Sequence, residues 1–139
     1  MKWVTWENIG VDRMGCAWLI LRFIDPDAVF SFIPKVQTVS PEGYEPFDIP
    51  GVRLTHRGGH CTFHTMLIEY KLNDRILRRI ASIIDEADVA QEITVEPIAT
   101  GLDVICQGIR RVSPDDQTAL ERGRLIYEAL YVQLSSEAV

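Results

Sequence analysis

Short apolar runs and period-two alternation in the first half of the chain predict three β-strands. Residues 2–5 are rich in Val, Trp and Thr, and residues 28–33 form a second apolar run. Residues 51–56 alternate apolar Val52 and Leu54 with polar neighbours, so we expect a third strand with one buried face. Residues 34–50 lie between the last two strands, and their prolines predict an irregular segment.

A run that is apolar almost all round predicts a buried helix over residues 13–24. It passes through Cys16, Trp18 and Ile20 without forming a continuous polar face, so we expect the helix to be central. Asp12 stands just before it, where a carboxylate accepts unpaired helical N–H groups and caps the helix. Asp25 precedes a proline and should end the helix, because that position avoids helical backbone angles.

Helical spacing of apolar positions continues through the second half of the chain. The predicted helices cover residues 62–70, a segment after Asn73 or Asp74, a segment opening at Glu96 and Pro97, and residues 113–134. In the last helix, the residues expected to face inward are Leu120, Leu125, Ile126, Leu130 and Tyr131. The pattern therefore predicts an α+β fold, in which residues 1–139 form a single compact domain with a small three-strand sheet covered by four to five helices.

Composition and charge narrow the classes of function. The 139 residues carry a net charge of -6, so the chain does not attract nucleic-acid phosphates by its overall field. Candidates for a local basic patch are Arg75, Arg78, Arg79, Arg110 and Arg111, but their helical spacing is more typical of a solvated face, and we expect no direct DNA binding. The 3 cysteines lack the close spacing of a redox or zinc motif, which favours a reducing compartment. The N-terminus has no apolar signal core, and residues 16–21 are too short an apolar stretch to cross a bilayer. We expect a cytoplasmic protein without a membrane partner, and a homo-oligomer is compatible with the sequence.

All 3 histidines lie within residues 56–64, together with a cysteine. Imidazole and thiolate are preferred ligands of Zn²⁺ and Fe²⁺. If a helix begins near residue 62, Cys61 and His64 are one turn apart, and a Gly-Gly bend lets His56 face them. The sequence therefore predicts a metal site formed by His56, Cys61 and His64, with His60 or Asp88 as a fourth ligand. The alternative is structural, with an exposed His60, a buried Cys61 and His56 in a turn.

Two arginines are candidates for holding a small oxyanion. Arg13 lies at the predicted N-terminus of the first helix, and Arg57 adjoins the histidine segment. Cys16 lies one turn from Arg13, where a cation and a helix N-terminus would stabilise a thiolate. An inert buried Cys16 is the simpler interpretation.

An acidic cluster at the end of a predicted helix includes Asp85 and Asp88. Carboxylates are unfavourable at this end of the helix dipole. We therefore expect a specific partner, above all for Asp88: a metal ion, an arginine or a histidine.

Several segments in order along the chain resemble the C-terminal domain of the chromate resistance protein B family. They are residues 2–5, Asp12-Arg13, residues 16–20 and 22–25, residues 46–51, His56, Gly59, residues 61–63, Ala87-Asp88, Gly101-Leu102, Tyr127 and residues 129–131. The chain departs from the family pattern at Ala17, where proline is usual, and at His64, where an acid is usual. Both an acid and a histidine bind metals, so this change would keep a site while altering its charge and softness.

The resemblance implies a bacterial protein linked to chromate resistance and stress response. Some longer family members resemble regulators and others carry a rhodanese-like domain, and we expect neither addition to apply to this chain. Three hypotheses follow. The first is a domain that binds a transition metal or oxyanion, the second is a thiol- or metal-dependent redox or sulfur-transfer enzyme using Cys16 or Cys61, and the third is an interaction domain without a site.

Overall fold

A three-strand parallel sheet forms one side of the computed structural model, which describes residues 1–37, 40–88 and 95–138. The strands are β1 (Lys2–Trp6), β2 (Val29–Ile33) and β3 (Glu45–Pro46), in the order β2-β1-β3. Trp3 of β1 pairs with Phe30 on one side and Glu45 on the other. The central strand is therefore β1, whose middle residues are buried.

The third strand lies in the segment that the sequence predicts to be irregular, so its predicted position is wrong. Residues 51–56 contribute a single bridge, in which Leu54 pairs with Phe47. Val52 and Leu54 alternate because they pack inward from a turn-rich loop, Val52 in part and Leu54 fully. A period of two over so few residues does not separate a strand from such a loop.

Helix α1 (Val11–Leu19) is the buried centre of the molecule, as its all-round apolar sequence predicts. It continues into a π-helical turn, Ile20–Ile24, and packs against all four helices that follow. Trp18 and Ile20 are 1% and 0% exposed, which confirms the expected burial. Asp12 does not cap this helix: the N-cap is Gly10, and Asp12 lies inside the first turn.

The remaining helices are α2 (Thr62–Glu69), α3 (Arg75–Asp88), α4 (Ala99–Val112) and α5 (Asp116–Glu137). Asp74 accepts N–H bonds from Ile76 and Leu77, so it caps α3 as predicted. Asp115 caps α5 by accepting the N–H of Thr118. Three parallel strands with five helices confirm the predicted fold class. The described helices include none long and apolar enough to cross a membrane.

Aromatic side chains fill the space between α1, α2 and α5. Trp18 stacks on Phe63 and Tyr127, with ring centroids 6.4 and 6.0 Å away. The fully buried Tyr127 donates its hydroxyl to the carbonyl of Val11 at 2.6 Å, which fixes α5 against the start of α1. Leu125 was expected to face inward but is 69% exposed, because α5 presents apolar residues on two faces and only one of them meets α1.

Candidate metal site

A cleft of about 560 Å³ opens where the start of α1 meets the loop that leads into α2. Its walls include Trp6 from β1, Arg13 from α1, and Asp48 and His56 from the loop. Asp88, the last residue of α3, closes one side. Four separate parts of the chain therefore bring polar side chains to one cleft.

Asp12 joins α1 to the start of α2 at the floor of the site. Its two carboxylate oxygens accept the backbone N–H groups of Thr62 and Phe63, at 2.9 and 3.1 Å. These are unpaired N–H groups of the first turn of α2, so Asp12 caps that helix from a position 50 residues earlier. Burial, with the nearby charge of Asp48, raises the pKa of Asp12 to about 7.

Asp48 is held in the left-handed backbone region, with φ of 54°. Aspartate and asparagine adopt this conformation more readily than other non-glycine residues. The buried carboxylate accepts the hydroxyl of Thr62 at 2.7 Å and forms an ion pair with Nε of Arg13 at 3.1 Å. Thr62 therefore orients two carboxylates, Asp48 through its hydroxyl and Asp12 through its N–H.

His56 lies among three carboxylates. Its Nδ1 is 3.2 Å from Asp48 Oδ1, and its Nε2 is 2.8 Å from Asp88 Oδ2 and 3.6 Å from Asp12 Oδ2. Hydrogen bonding to Asp48, with a further bond to Asp88, raises the pKa of His56 to about 10. Without a metal ion, the imidazolium of His56 therefore balances these carboxylates together with Arg13, which pairs with Asp48.

The acids at the end of α3 have the specific partners that their unfavourable position predicts. Asp88 bonds His56 as described, and Asp85 bonds Nδ1 of His60 at 2.7 Å. A histidine is one of the three kinds of partner expected for Asp88. These two pairs connect the loop of residues 56–60 to the last turns of α3.

Asp12, Asp48 and His56 form a group with the dimensions of a metal site. One ligand atom from each lies within 4.8 Å of the other two, and no other such group occurs within residues 1–37, 40–88 and 95–138. Oδ1 of Asp12 accepts the N–H of Phe63 and the thiol of Cys16, whereas Oδ2 accepts only the N–H of Thr62 and retains a lone pair on the side of His56. These three ligand atoms therefore fit a divalent cation. Asp88 lies beside the group, where its carboxylate bonds His56.

The predicted combination of His56, Cys61 and His64 is not brought together. The Cys61 thiol is buried and points to the carbonyl of Ala81 at 3.6 Å. His64 stacks on His60, with ring centroids 4.0 Å apart. Cys61 is the N-cap residue of α2, so its side chain turns into the core while His56 remains in the cleft.

The two arginines predicted to hold an oxyanion are both engaged by acids. Arg13 does share the cleft with His56, but its guanidinium binds the carboxylate and the backbone carbonyl of Asp48. Arg57 bonds Glu69 at 2.8 Å. The positive charge of each is therefore offset by a carboxylate neighbour.

The thiols lack the environment of a reactive cysteine. Cys16, Cys61 and Cys106 are all buried. Burial, reinforced by acidic neighbours, raises the pKa of each thiol, to about 12 for Cys106. A catalytic thiol needs the opposite shift.

We expect all three thiols of the native chain to resist alkylation at pH 8. Iodoacetamide should modify them only after unfolding in guanidinium chloride, because reaction requires an accessible thiolate. Mass spectrometry of native and unfolded samples measures the difference at each cysteine. Fast modification of native Cys16 or Cys61 would contradict this and favour a thiol-dependent enzyme.

Sequence reasoning missed Asp48 as a site residue and assigned Asp12 a different role. Asp48 lies in the proline-containing segment, where no periodicity marks a functional position. The available signal was the segment of residues 46–51, which is one of the motifs that carry the family resemblance. Asp12 belongs to another of those motifs, but its partners in α2 are distant in sequence.

Nearly the whole chain is similar in sequence to known proteins. The family model described as "ChrB, C-terminal domain" matches residues 3–134. Protein ChrB of Cupriavidus metallidurans is 34% identical over 136 residues, which are 97% of this chain and 41% of that protein. The chain thus spans less than half the length of this relative. No solved structure matches the chain.

Proposed function

The chain belongs to the ChrB C-terminal domain family of chromate resistance proteins, and from that premise we propose that it binds a divalent transition-metal ion through Asp12, Asp48 and His56. The proposal places it in the cytoplasm, as a bacterial protein of the chromate stress response. The observation that carries it is the approach of two buried carboxylates and one imidazole to within 4.8 Å of one another. Buried acids at this separation repel one another unless cations offset their charge. Arg13 and protonated His56 do so in the metal-free chain, and a divalent ion would take the place of the His56 proton.

The charge of the site favours a cation over an oxyanion. Asp12, Asp48 and Asp88 supply three carboxylates around His56, while Arg13 is the guanidinium on the cleft wall and is paired with Asp48. A chromate dianion would have to displace or approach these carboxylates. The link to chromate resistance therefore runs through a bound metal ion and not through direct recognition of the oxyanion.

The donor set also limits the metal. Carboxylate oxygens with one imidazole, and no thiolate, are harder than the Cys/His set predicted from the sequence. Fe²⁺ and Zn²⁺ both accept such ligands, and Mn²⁺ serves as a probe because carboxylates suit it. The cleft leaves one side of the site open to solvent, as in catalytic metal sites. A metal-dependent reaction is therefore the second candidate function.

Metal and chromate binding should separate in a direct comparison. Calorimetric titration of chelator-treated protein, free of a histidine tag, should show one Mn²⁺ per chain and no heat from potassium chromate in the same buffer. The Arg13→Gln variant should keep Mn²⁺ binding, because Arg13 is not a ligand. Chromate binding by the metal-free protein that Arg13→Gln abolishes would contradict the proposal and establish an oxyanion site.

A further inference from the structure

A second group of histidine and carboxylate side chains lies beside α2, outside the cleft. His60 and His64 stack with ring centroids 4.0 Å apart and an angle of 17° between the rings. His60 bonds Asp85 of α3 at 2.7 Å, and about half of its side chain is exposed. None of these three residues lines the cleft that holds Asp48 and His56.

The bond to Asp85 determines which nitrogen of His60 is free. The other oxygen of Asp85 accepts the backbone N–H of Cys61 at 2.7 Å, so the carboxylate is fixed in place. An aspartate carboxylate accepts hydrogen bonds, so His60 donates through Nδ1, and a neutral ring then carries its lone pair on Nε2.

This is the arrangement in which proteins use histidine as a metal ligand. A metal-binding imidazole usually donates its second N–H to a carboxylate or carbonyl, which fixes the tautomer and makes the ligand more basic. His64 supplies a second imidazole next to the first, with the ring centroids 4.0 Å apart. A neutral imidazole keeps one nitrogen lone pair for a metal ion.

We propose that His60 and His64 form a second metal site, for an imidazole-preferring divalent ion such as Ni²⁺, Cu²⁺ or Zn²⁺, with Asp85 as the supporting carboxylate. Each nitrogen lone pair lies in the plane of its own ring and the two planes are nearly parallel, so a shared ion requires His64 to rotate about its Cα–Cβ bond. With two protein ligands the ion keeps water in its other positions. Its imidazole ligands are softer than the carboxylate ligands of the first site, and it shares no residue with that site.

Ni²⁺ titration of the tag-free full chain, after Mn²⁺ has filled the carboxylate site, tests the proposal. His64→Gln and His60→Gln should each weaken Ni²⁺ binding at least about tenfold, and Asp85→Asn should weaken it about tenfold by loss of the supporting carboxylate. Asparagine still accepts the N–H of Cys61, so Asp85→Asn keeps this cap of α2. Asp27→Asn is the control, because it removes an exposed carboxylate that belongs to neither site and should leave Ni²⁺ binding unchanged.

Spectroscopy of the unmodified chain tests the site without any effect of a substitution on folding. With one equivalent of Cu²⁺ added, electron paramagnetic resonance should show coupling to two imidazole nitrogens. A signal from a single nitrogen that is also present in Asp48→Asn, whose carboxylate site lacks a ligand, would overturn the proposal and indicate only adventitious binding to an exposed histidine. Ni²⁺ affinity that Asp85→Asn leaves unchanged would overturn it as well. If the chain shows the two-nitrogen Cu²⁺ signal but binds no Mn²⁺, only the carboxylate site is rejected and the histidine site stands.

Discussion

Asp48→Asn should lower the affinity of the chain for Mn²⁺ by at least about 100-fold. Loss of a residue that merely supports a ligand weakens metal binding about 10- to 100-fold, and loss of a charged ligand should exceed that. Asparagine suits this test because it tolerates the left-handed backbone of residue 48 and can still accept the hydroxyl of Thr62. The substitution therefore removes the charge, and with it the ion pair to Arg13, but keeps the backbone conformation of residue 48 and the bond to Thr62.

The control for this variant is Asp27→Asn, which removes an exposed carboxylate from the turn after the first helix. It should bind Mn²⁺ as the unmodified chain does, and both variants should give the same circular dichroism spectrum. Equal Mn²⁺ affinities for Asp48→Asn and the unmodified chain would exclude Asp48 as a ligand. They would leave the cluster as a network of hydrogen bonds around His56.

Trp18→Ala should destabilise the fold by about 3–5 kcal/mol, the usual cost of truncating a buried aromatic residue. The Trp18 ring is 1% exposed and contacts Phe63 of α2 and Tyr127 of α5, so its loss leaves a cavity between three helices. Its indole N–H also bonds Glu128 at 3.0 Å. Urea denaturation followed by circular dichroism measures the change in the free energy of unfolding.

Leu125→Ala provides the contrast, because sequence spacing predicts that Leu125 is buried and the structure exposes it. Its effect should stay within about 0.5 kcal/mol, as for most surface substitutions. A loss of several kcal/mol in Leu125→Ala would show that this face of α5 is covered in solution. A loss below about 1 kcal/mol in Trp18→Ala would contradict the central position of α1.

The structure confirms the predictions that rest on long apolar patterns and on local capping residues. The burial of α1 and the capping of α3 by Asp74 both follow from residues that are close together in the chain. The predicted burial of Leu125 is wrong because α5 carries apolar residues on more than one face, and periodicity does not tell which face packs against another helix. The predicted position of the third strand is wrong because two alternating apolar residues, Val52 and Leu54, are too few to identify a strand.

The site was only partly predictable, because its contacts join distant parts of the chain. His56 and Asp88 were among the predicted residues: one lies in the histidine segment, and the other is an acid at an unfavourable helix end. Asp12 and Asp48 depend on Thr62, 50 and 14 residues further along, and no local pattern encodes those contacts. Cys61 was predicted as a ligand from its neighbours, but its place at the start of α2 turns the thiol into the core.

The most direct test of the carboxylate site is anomalous diffraction from crystals of the full chain grown with Mn²⁺. We expect one strong manganese peak in the cleft, in direct contact with carboxylate oxygens of Asp12 and Asp48 and a ring nitrogen of His56. A cleft without manganese at saturating Mn²⁺, with His56 still bonded to Asp48 and Asp88, would contradict it.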